Sequence, residues 1–296
     1  MRLREGELMP EDQSQFGVQR PDVVARPAVV ARPAWAGPQP RPSRLRALEL
    51  PPLRRRDAVL DLLLVLIATI IAPNLAQLFV VFDSDGGGIP DISLALIVQK
   101  CCEASLAVML LAYLVLRNGL PPASFGLRRG KWLEQLAWSG ATLAGVYVAL
   151  LGGVALIFII ISLYPQAAGD MSRRVEFLEA FPELRLGPTF VLLVAVAIHE
   201  EIIFRGLLLP LVRRVSGSWV AAVAASSLLF AALHIPGQGL LGGLQILGVS
   251  VALSLFFLLS RSLPAVMLAH FLFDFVQLQL VRLLPDLQRM AEQAGS

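Results

Sequence analysis

The sequence has little charge and almost no cysteine. Charged residues make up only 16% of its 296 residues, whereas 56% are hydrophobic and the mean hydropathy is +0.70. A soluble domain usually carries roughly 25% charged residues, so this composition predicts a polytopic membrane protein. A nucleic-acid-binding protein would need a basic, soluble face, and here the net charge of +3 comes mainly from arginines before and between apolar runs. The composition therefore excludes nucleic acid as the expected partner.

The sequence also lacks the spacings of familiar cysteine and zinc sites. The two cysteines, Cys101 and Cys102, are adjacent at the start of an apolar run, and neighbouring cysteines make a poor structural disulfide. The zinc motif HExxH is absent too: His199 would be its first histidine, but Ile203 stands at the position of its second. We interpret the cysteines as packing residues and His199 as a bystander of the chemistry.

The apolar runs predict an all-α fold, a polytopic membrane helix bundle with about seven, or eight, transmembrane helices. The runs cover roughly residues 58–82, 92–116, 133–163, 188–213, 218–234, 239–260 and 263–283. Each is long enough to cross a hydrocarbon core of about 30 Å at 1.5 Å per residue. They define a membrane domain over 57–284 with a motif-bearing core at about 188–280. Residues 1–50, rich in Pro and Arg, predict a disordered N-terminal tail.

The distribution of arginine and lysine predicts the orientation of the bundle. Arg54–Arg56, Arg128–Lys131 and Arg213–Arg214 fall on one side of a seven-span protein, and the acidic turn Asp83–Asp91 falls on the other. The positive-inside rule then places the N-terminus in the cytoplasm. Because the first 50 residues contain no apolar stretch of an export signal, we expect a bacterial inner membrane. No fixed-period repeat supports a transporter built from inverted repeats.

The segment IHEEIIFRGLLLP places ionisable residues inside an apolar run. Such groups cost about 2.5–3.5 kcal/mol each at the centre of a membrane helix unless they are paired. Glu201 and Arg205 are four residues apart, so they can neutralise each other along one helix face. Glu200 points about 100° away and has no cation three or four residues along the helix. A buried carboxylate without such a partner suits a general base, although a helix–helix hydrogen bond is the alternative.

The other two histidines, His234 and His270, lie in neighbouring predicted helices. A lone intramembrane histidine is usually a hydrogen-bonding residue between helices, but this grouping with carboxylates favours a site. His270 and Asp274 are four residues apart, so the carboxylate can hold the imidazole in one tautomer. Counting along the predicted helices places Glu200 near mid-bilayer, His234 near the outer side and His270 roughly 10 Å from the cytoplasmic side. Since a site requires them to meet, some predicted boundaries must be wrong or the helices tilted.

Three short motifs occur in order in separate apolar helices: EEIIFR at 200–205, FAALH at 230–234 and HFLFD at 270–274. They resemble the EExxxR, FxxxH and HxxxN/D motifs of the CPBP intramembrane proteases. That family includes the CAAX prenyl endopeptidases of the Ras-converting type and bacteriocin-processing relatives. Each motif alone is weak, but all three in this order are a strong signal. The resemblance covers roughly residues 120–280.

The resemblance implies a role for each motif residue. Glu200 would be the catalytic base and would activate a water together with His234. His270 and Asp274 would stabilise the oxyanion or orient the site. Asp274 stands where the CAAX enzymes commonly have Asn, and an ionised Asp cannot donate to an oxyanion, so it would instead orient His270, accept its proton or help to bind a metal. The supporting residues would be Glu201, Arg205 and Phe230.

The implied function is an intramembrane endopeptidase acting on a membrane-associated peptide or protein, prenylated or not, in contact with membrane lipids. The family is commonly labelled metalloprotease, and Zn²⁺ held by Glu200, His234 and His270 is chemically reasonable. A metal-free mechanism, in which glutamate and histidine activate the water, is equally reasonable. Two other functions stay open: an inactive membrane scaffold of the same fold, and a proton-coupled transporter with the same residues as a relay.

Overall fold

A computed structural model of the chain describes residues 55–82, 92–128, 130–170 and 184–295. Every regular element in these ranges is helical, which confirms the predicted all-α class. The predicted disordered tail, residues 1–50, lies outside the described residues.

Seven helices form the described part of the bundle. Their bounds are α1 Arg55–Phe82, α2 Ile92–Asn118, α3 Trp132–Leu163, α4 Leu186–Glu201, α5 Leu209–Ser216, α6 Trp219–Ser260 and α7 Leu263–Gly295. Short 3-10 helices occupy Pro122–Phe125 and Pro165–Ala167, and a π-helical segment, Ile202–Leu208, continues α4 directly into α5. Stretches of four helices, α2, α3, α6 and α7, are long and apolar enough to cross a membrane. The chain is therefore a multi-pass membrane protein, while the count of seven or eight spans stays a prediction.

Helix α6 doubles back on itself. As one straight helix its 42 residues would extend about 63 Å at 1.5 Å per residue, twice the thickness of a hydrocarbon core. The helical backbone breaks at Gly239, where φ is 74° and ψ is 175°. Beyond the break, a Cβ placed on Gly243 would lie 2.6 Å from Cγ1 of Ile235. A straight helix would separate these residues by about 12 Å. The two arms of α6 are therefore antiparallel and correspond to the predicted runs 218–234 and 239–260.

The second arm of α6 receives its N-terminal cap from a distant residue. The backbone N–H of Leu241 donates to Oδ2 of Asp170 at 2.7 Å. A carboxylate at this position satisfies a helix donor and interacts favourably with the helix dipole. The same carboxylate crowds Gly239, on which a Cβ would lie 2.7 Å from both of its oxygens. The bend thus requires glycine both for its positive φ and for the close approach of Asp170.

The helix ends are not level, and this explains why His270 lies beside Glu201 although their predicted depths differ. Leu263, at the start of α7, donates its N–H to the carbonyl of Gly126 at 2.9 Å and lies against Gly206 in the π-helical segment. Helix α5 ends at Ser216, ten residues beyond Gly206, or about 15 Å along the axis. Because α7 starts at the level of the π-helical segment, His270 on α7 comes level with Glu201 on α4.

The bend at Gly239 can be tested by adding one methyl group. Gly239→Ala is expected to lower the free energy of unfolding by at least about 1–3 kcal/mol, because alanine is strained at positive φ and its Cβ would clash with Asp170. Thermal unfolding of the full chain in detergent measures this effect. The control is Gly152→Ala in α3, where nothing lies within 4 Å of the new methyl group. That change should be neutral or stabilise by up to about 1 kcal/mol. Equal unfolding temperatures for the two variants would contradict the bend.

Candidate active site

A buried ion pair between Glu201 and Arg205 forms the centre of the candidate site. Nη1 of Arg205 donates to Oε1 of Glu201 at 2.7 Å, and both side chains are 0% exposed. The other terminal nitrogen, Nη2, donates to Oγ of Ser250 at 2.8 Å and to the Ser250 carbonyl at 3.2 Å. The guanidinium also lies over the ring of Phe230, 4.8 Å from its centroid. The pairing predicted for Glu201 and Arg205 is therefore present, and it also contacts both arms of α6.

His270 on α7 connects this ion pair to the accessible part of the site. Its Nδ1 is 2.7 Å from Oε1 of Glu201, and its side chain is only 6% exposed. An ionised Glu201 can only accept a hydrogen bond, so the ring hydrogen is assigned to Nδ1 of His270, which donates it to Glu201. The second ring nitrogen, Nε2, lies 3.7 Å from Oε2 of Glu200 and 3.4 Å from Oδ2 of Asp274. Glu200 and Asp274 keep 17% and 26% of their side chains exposed, so the Nε2 edge of the ring faces the accessible side of the site.

His234 joins the site through Phe230. Nδ1 of His234 is 2.7 Å from the carbonyl of Phe230, which assigns a hydrogen to this nitrogen and leaves Nε2 with a lone pair. The two rings lie 4.6 Å apart between centroids, and the ring of Phe230 also lies 6.3 Å from that of His270. Among the described residues, no ion pair joins His234 to Glu200. Phe230 is thus the side chain that brings the histidine of the second motif next to the other two motifs.

Sequence reasoning missed Glu103 on α2. Its side chain is 0% exposed and accepts from Nε2 of Gln99 at 2.9 Å and Nζ of Lys100 at 2.8 Å. Oε2 of Glu103 also lies 3.4 Å from Nδ1 of His199, the residue directly before Glu200. The sequence did contain a signal for this residue: Glu103 is an acid inside the apolar run 92–116, three residues after Lys100 and four after Gln99. His199, interpreted as a bystander from the sequence, therefore pairs with α2 at the edge of the site.

The described side chains do not fit a zinc site as they are arranged. Within the described ranges, no three His, Cys, Asp or Glu side chains form a group that could hold a metal ion. Both candidate histidines have Nδ1 engaged, His234 with a carbonyl and His270 with Glu201, so each could offer only Nε2. A zinc site would need these nitrogens and an oxygen of Glu200 at about 2.0–2.2 Å from one point.

Residues 182–276 match the family model described as type II CAAX prenyl endopeptidase Rce1-like. This range, about a third of the chain, contains all three motifs. This part of the chain is therefore similar to the type II CAAX prenyl endopeptidases that the model describes. The predicted family resemblance is therefore confirmed over these residues, and it supports a CAAX-type intramembrane protease at the family level. No curated protein and no solved structure matches the chain.

The hydrogen bonds to Arg205 predict different effects for two serines one turn apart on α6. Ser250→Ala should lower the free energy of unfolding by about 1–3 kcal/mol, because it removes an acceptor from a buried cation. Ser254→Ala is the matched control, since Ser254 is equally buried and its hydroxyl has no partner among the described residues. Removing that hydroxyl should be close to neutral. Thermal unfolding in detergent measures both changes, and a loss of stability at Ser254 that equals the loss at Ser250 would contradict the assigned role of Ser250.

Proposed function

We propose that the protein hydrolyses a peptide bond within the membrane by a water that Glu200 and His234 activate. The position of Glu200 carries this proposal. Its carboxylate lies 3.7 Å from Nε2 of His270 and keeps 17% of its side chain exposed, whereas Glu201 is fully buried and bonded to Arg205. Of the two adjacent glutamates, Glu200 is the one that a water and a substrate can reach.

The reaction begins with the transfer of a proton from water to Glu200. The water oxygen forms a bond with the scissile carbonyl carbon, and the carbonyl oxygen becomes an oxyanion. His234 supports this step because its Nε2 lone pair can accept a hydrogen bond from the second O–H of the water, and that hydrogen stays on the attacking oxygen. Breakage of the C–N bond then requires a proton on the leaving amine, and Glu200 returns the one that it took. The products are a carboxylic acid and an amine, and Glu200 is again ionised.

His270 faces the developing oxyanion. Glu201 holds the ring through Nδ1, so Nε2 points to the same side as the accessible carboxylates. When Nε2 carries a proton, it is a preorganised donor to the oxyanion in a site with little water. Asp274 lies 3.4 Å from this nitrogen and keeps the ring in that position. Orienting His270 is one of the roles that the family resemblance implies for Asp274, which stands where the CAAX enzymes commonly have asparagine.

The substrate that we propose is a peptide or a membrane-anchored protein segment, with or without a prenyl group. The family match, whose description names a prenyl endopeptidase, supports testing a prenylated peptide first. The arginine distribution supports a bacterial inner membrane with the N-terminus in the cytoplasm. Zn²⁺ stays a separate proposal, which the arrangement of side chains does not support and a chelator can test.

Glu200→Gln should abolish peptide cleavage while leaving the fold intact. The assay uses the full chain in detergent with quenched peptides that differ only in a prenyl group on a C-terminal cysteine, with and without a chelator. Loss of a general base costs about 10²–10⁴-fold in rate. Asp57→Asn, in the first turn of α1, is the control that removes a carboxylate elsewhere and should keep full activity.

Each outcome of this assay has a defined meaning. Cleavage that survives Glu200→Gln contradicts the proposed base. If the wild-type protein cleaves neither peptide, the inactive scaffold becomes the better explanation. Inhibition by the chelator would support a metal, and full activity in its presence would support the metal-free reaction.

Two histidines should respond differently to the same substitution. His270→Gln removes the donor at Nε2 and is expected to lower kcat by about 10²-fold or more, with a smaller change in KM. His199→Gln should keep most of kcat, because His199 lies against Glu103 on α2. Steady-state kinetics on the same peptide separates the two. If His199→Gln lost as much kcat as His270→Gln, His199 would also act in the reaction.

A further inference from the structure

His234 lies just before the bend of α6, and its ring follows the backbone of the turn that carries it. Nδ1 of His234 is 2.7 Å from the carbonyl oxygen of Phe230, one turn earlier on the same helix. Because the imidazole is bonded to its own helix in this way, a shift of the turn also moves Nε2, the nitrogen with the lone pair. The position of Nε2 therefore depends on the contacts that hold this turn.

The second arm of α6 packs against this turn. A Cβ placed on Gly243 would lie 2.6 Å from Cγ1 of Ile235 and 3.6 Å from the carbonyl oxygen of Ala231. Ala231 and Ile235 are four residues apart, so they share one helix face. His234 comes between them in the sequence and lies on a neighbouring face. The start of the second arm therefore supports the turn of His234 from the side.

Asp170 holds the start of the second arm. It follows the 3-10 helix Pro165–Ala167, and its side chain is half-buried. Oδ2 of Asp170 accepts from the N–H of Leu241 at 2.7 Å, and both carboxylate oxygens lie against Gly239. The first N–H groups of a helix have no partner within the helix, so an acceptor from elsewhere in the chain fixes where the arm begins. Leu241 is only two residues before Gly243, so a change at Asp170 also displaces the contact behind His234.

We propose that Asp170 is a positioning residue for the reaction: through the cap at Leu241 it holds His234 where Nε2 reaches the attacking water. This role rests on the proposed function of His234. Asp170 lies outside the three motifs and acts through the backbone of α6. A displacement of about 1 Å at a reacting group can lower a rate by about 10²-fold, so a cap outside the site can control turnover.

Steady-state kinetics of the full chain in detergent tests the proposal. Asp170→Ala removes the acceptor and should lower kcat by about 10- to 100-fold, with a smaller change in KM. Asp170→Asn keeps a side-chain oxygen at the cap and should retain kcat close to that of the wild-type protein, because asparagine caps helices as well as aspartate does. If Asp170→Ala does not fold, Asp170→Glu moves the oxygens by one methylene group and should also lower kcat.

Ser218→Ala is the matched control. Ser218 caps the beginning of the same helix, where its side chain accepts from the N–H of Ala221 at 3.2 Å. It precedes His234 by sixteen residues, about 24 Å along the first arm. Ser218→Ala should therefore lower the unfolding temperature, as Asp170→Ala does, but leave kcat unchanged.

A second measurement does not depend on peptide cleavage. The chain has only three histidines, so NMR of the imidazole nitrogens in the full chain, labelled with ¹⁵N-histidine, reports on each of them. Asp170→Ala should shift or broaden the signals of His234 and leave those of His199 in place. Ser218→Ala should leave both sets of signals unchanged.

Shifted His234 signals in Asp170→Ala, together with the loss of kcat and its recovery in Asp170→Asn, support the proposal. Unchanged His234 signals in Asp170→Ala would overturn it, and so would shifted signals with the kcat of the wild-type protein. A loss of kcat in Ser218→Ala equal to that in Asp170→Ala would also overturn it, because lower stability would then explain both. If the wild-type protein cleaves no peptide, the proposed function fails, and the NMR comparison alone decides whether Asp170 positions His234.

Discussion

The buried guanidinium of Arg205 is the constraint on which the rest of the site depends. A permanent charge without exposure to solvent has to be matched by nearby acceptors, or the helix that carries it is not stable in the membrane. Glu201 on α4, Ser250 on the second arm of α6 and the ring of Phe230 on the first arm provide this match. Satisfying one cation therefore fixes three helical segments relative to one another. Because the same oxygen of Glu201 also binds His270, it fixes α7 as well.

The π-helical segment Ile202–Leu208 shapes the part of the chain that carries Arg205. Each of its seven residues is buried, and Leu209 N–H reaches back five residues to the carbonyl of Phe204. That carbonyl also accepts from Oγ of Ser226 at 3.0 Å, which ties the segment to the first arm of α6. Single π-helical turns inside α-helices are often found at functional sites. Here the wider turn lies between Glu200, the accessible glutamate, and α5, whose last turn carries Arg213 and Arg214.

Short-range spacing made part of this site predictable from sequence. Glu201 with Arg205, and His270 with Asp274, share helix faces because they are four residues apart, and both pairs lie in long apolar runs that could only be helices. The pairing of Glu103 with His199 could not be predicted, since the two residues lie on different helices and any of several helices could have packed there. The depth of His270 was also beyond the sequence, because it depends on the packing of Leu263 against Gly206. The spacing of residues along the sequence predicts contacts within one helix. The shift of one helix along another depends on the side-chain volumes where the two helices touch.

The adjacent glutamates show how one helix gives the same side chain two roles. A rotation of about 100° separates Glu200 from Glu201 around the helix axis. This rotation places them at different nitrogens of one imidazole: Glu201 is 2.7 Å from Nδ1 of His270, and Glu200 is 3.7 Å from Nε2. The carboxylate of Glu201 is bonded to Arg205 and to the imidazole of His270, and it is fully buried. The carboxylate of Glu200 has no hydrogen bond among the described residues, and it remains partly accessible to solvent. The imidazole therefore lies between two unlike glutamates: Glu201 is a buried support, and Glu200 is the carboxylate that stays accessible.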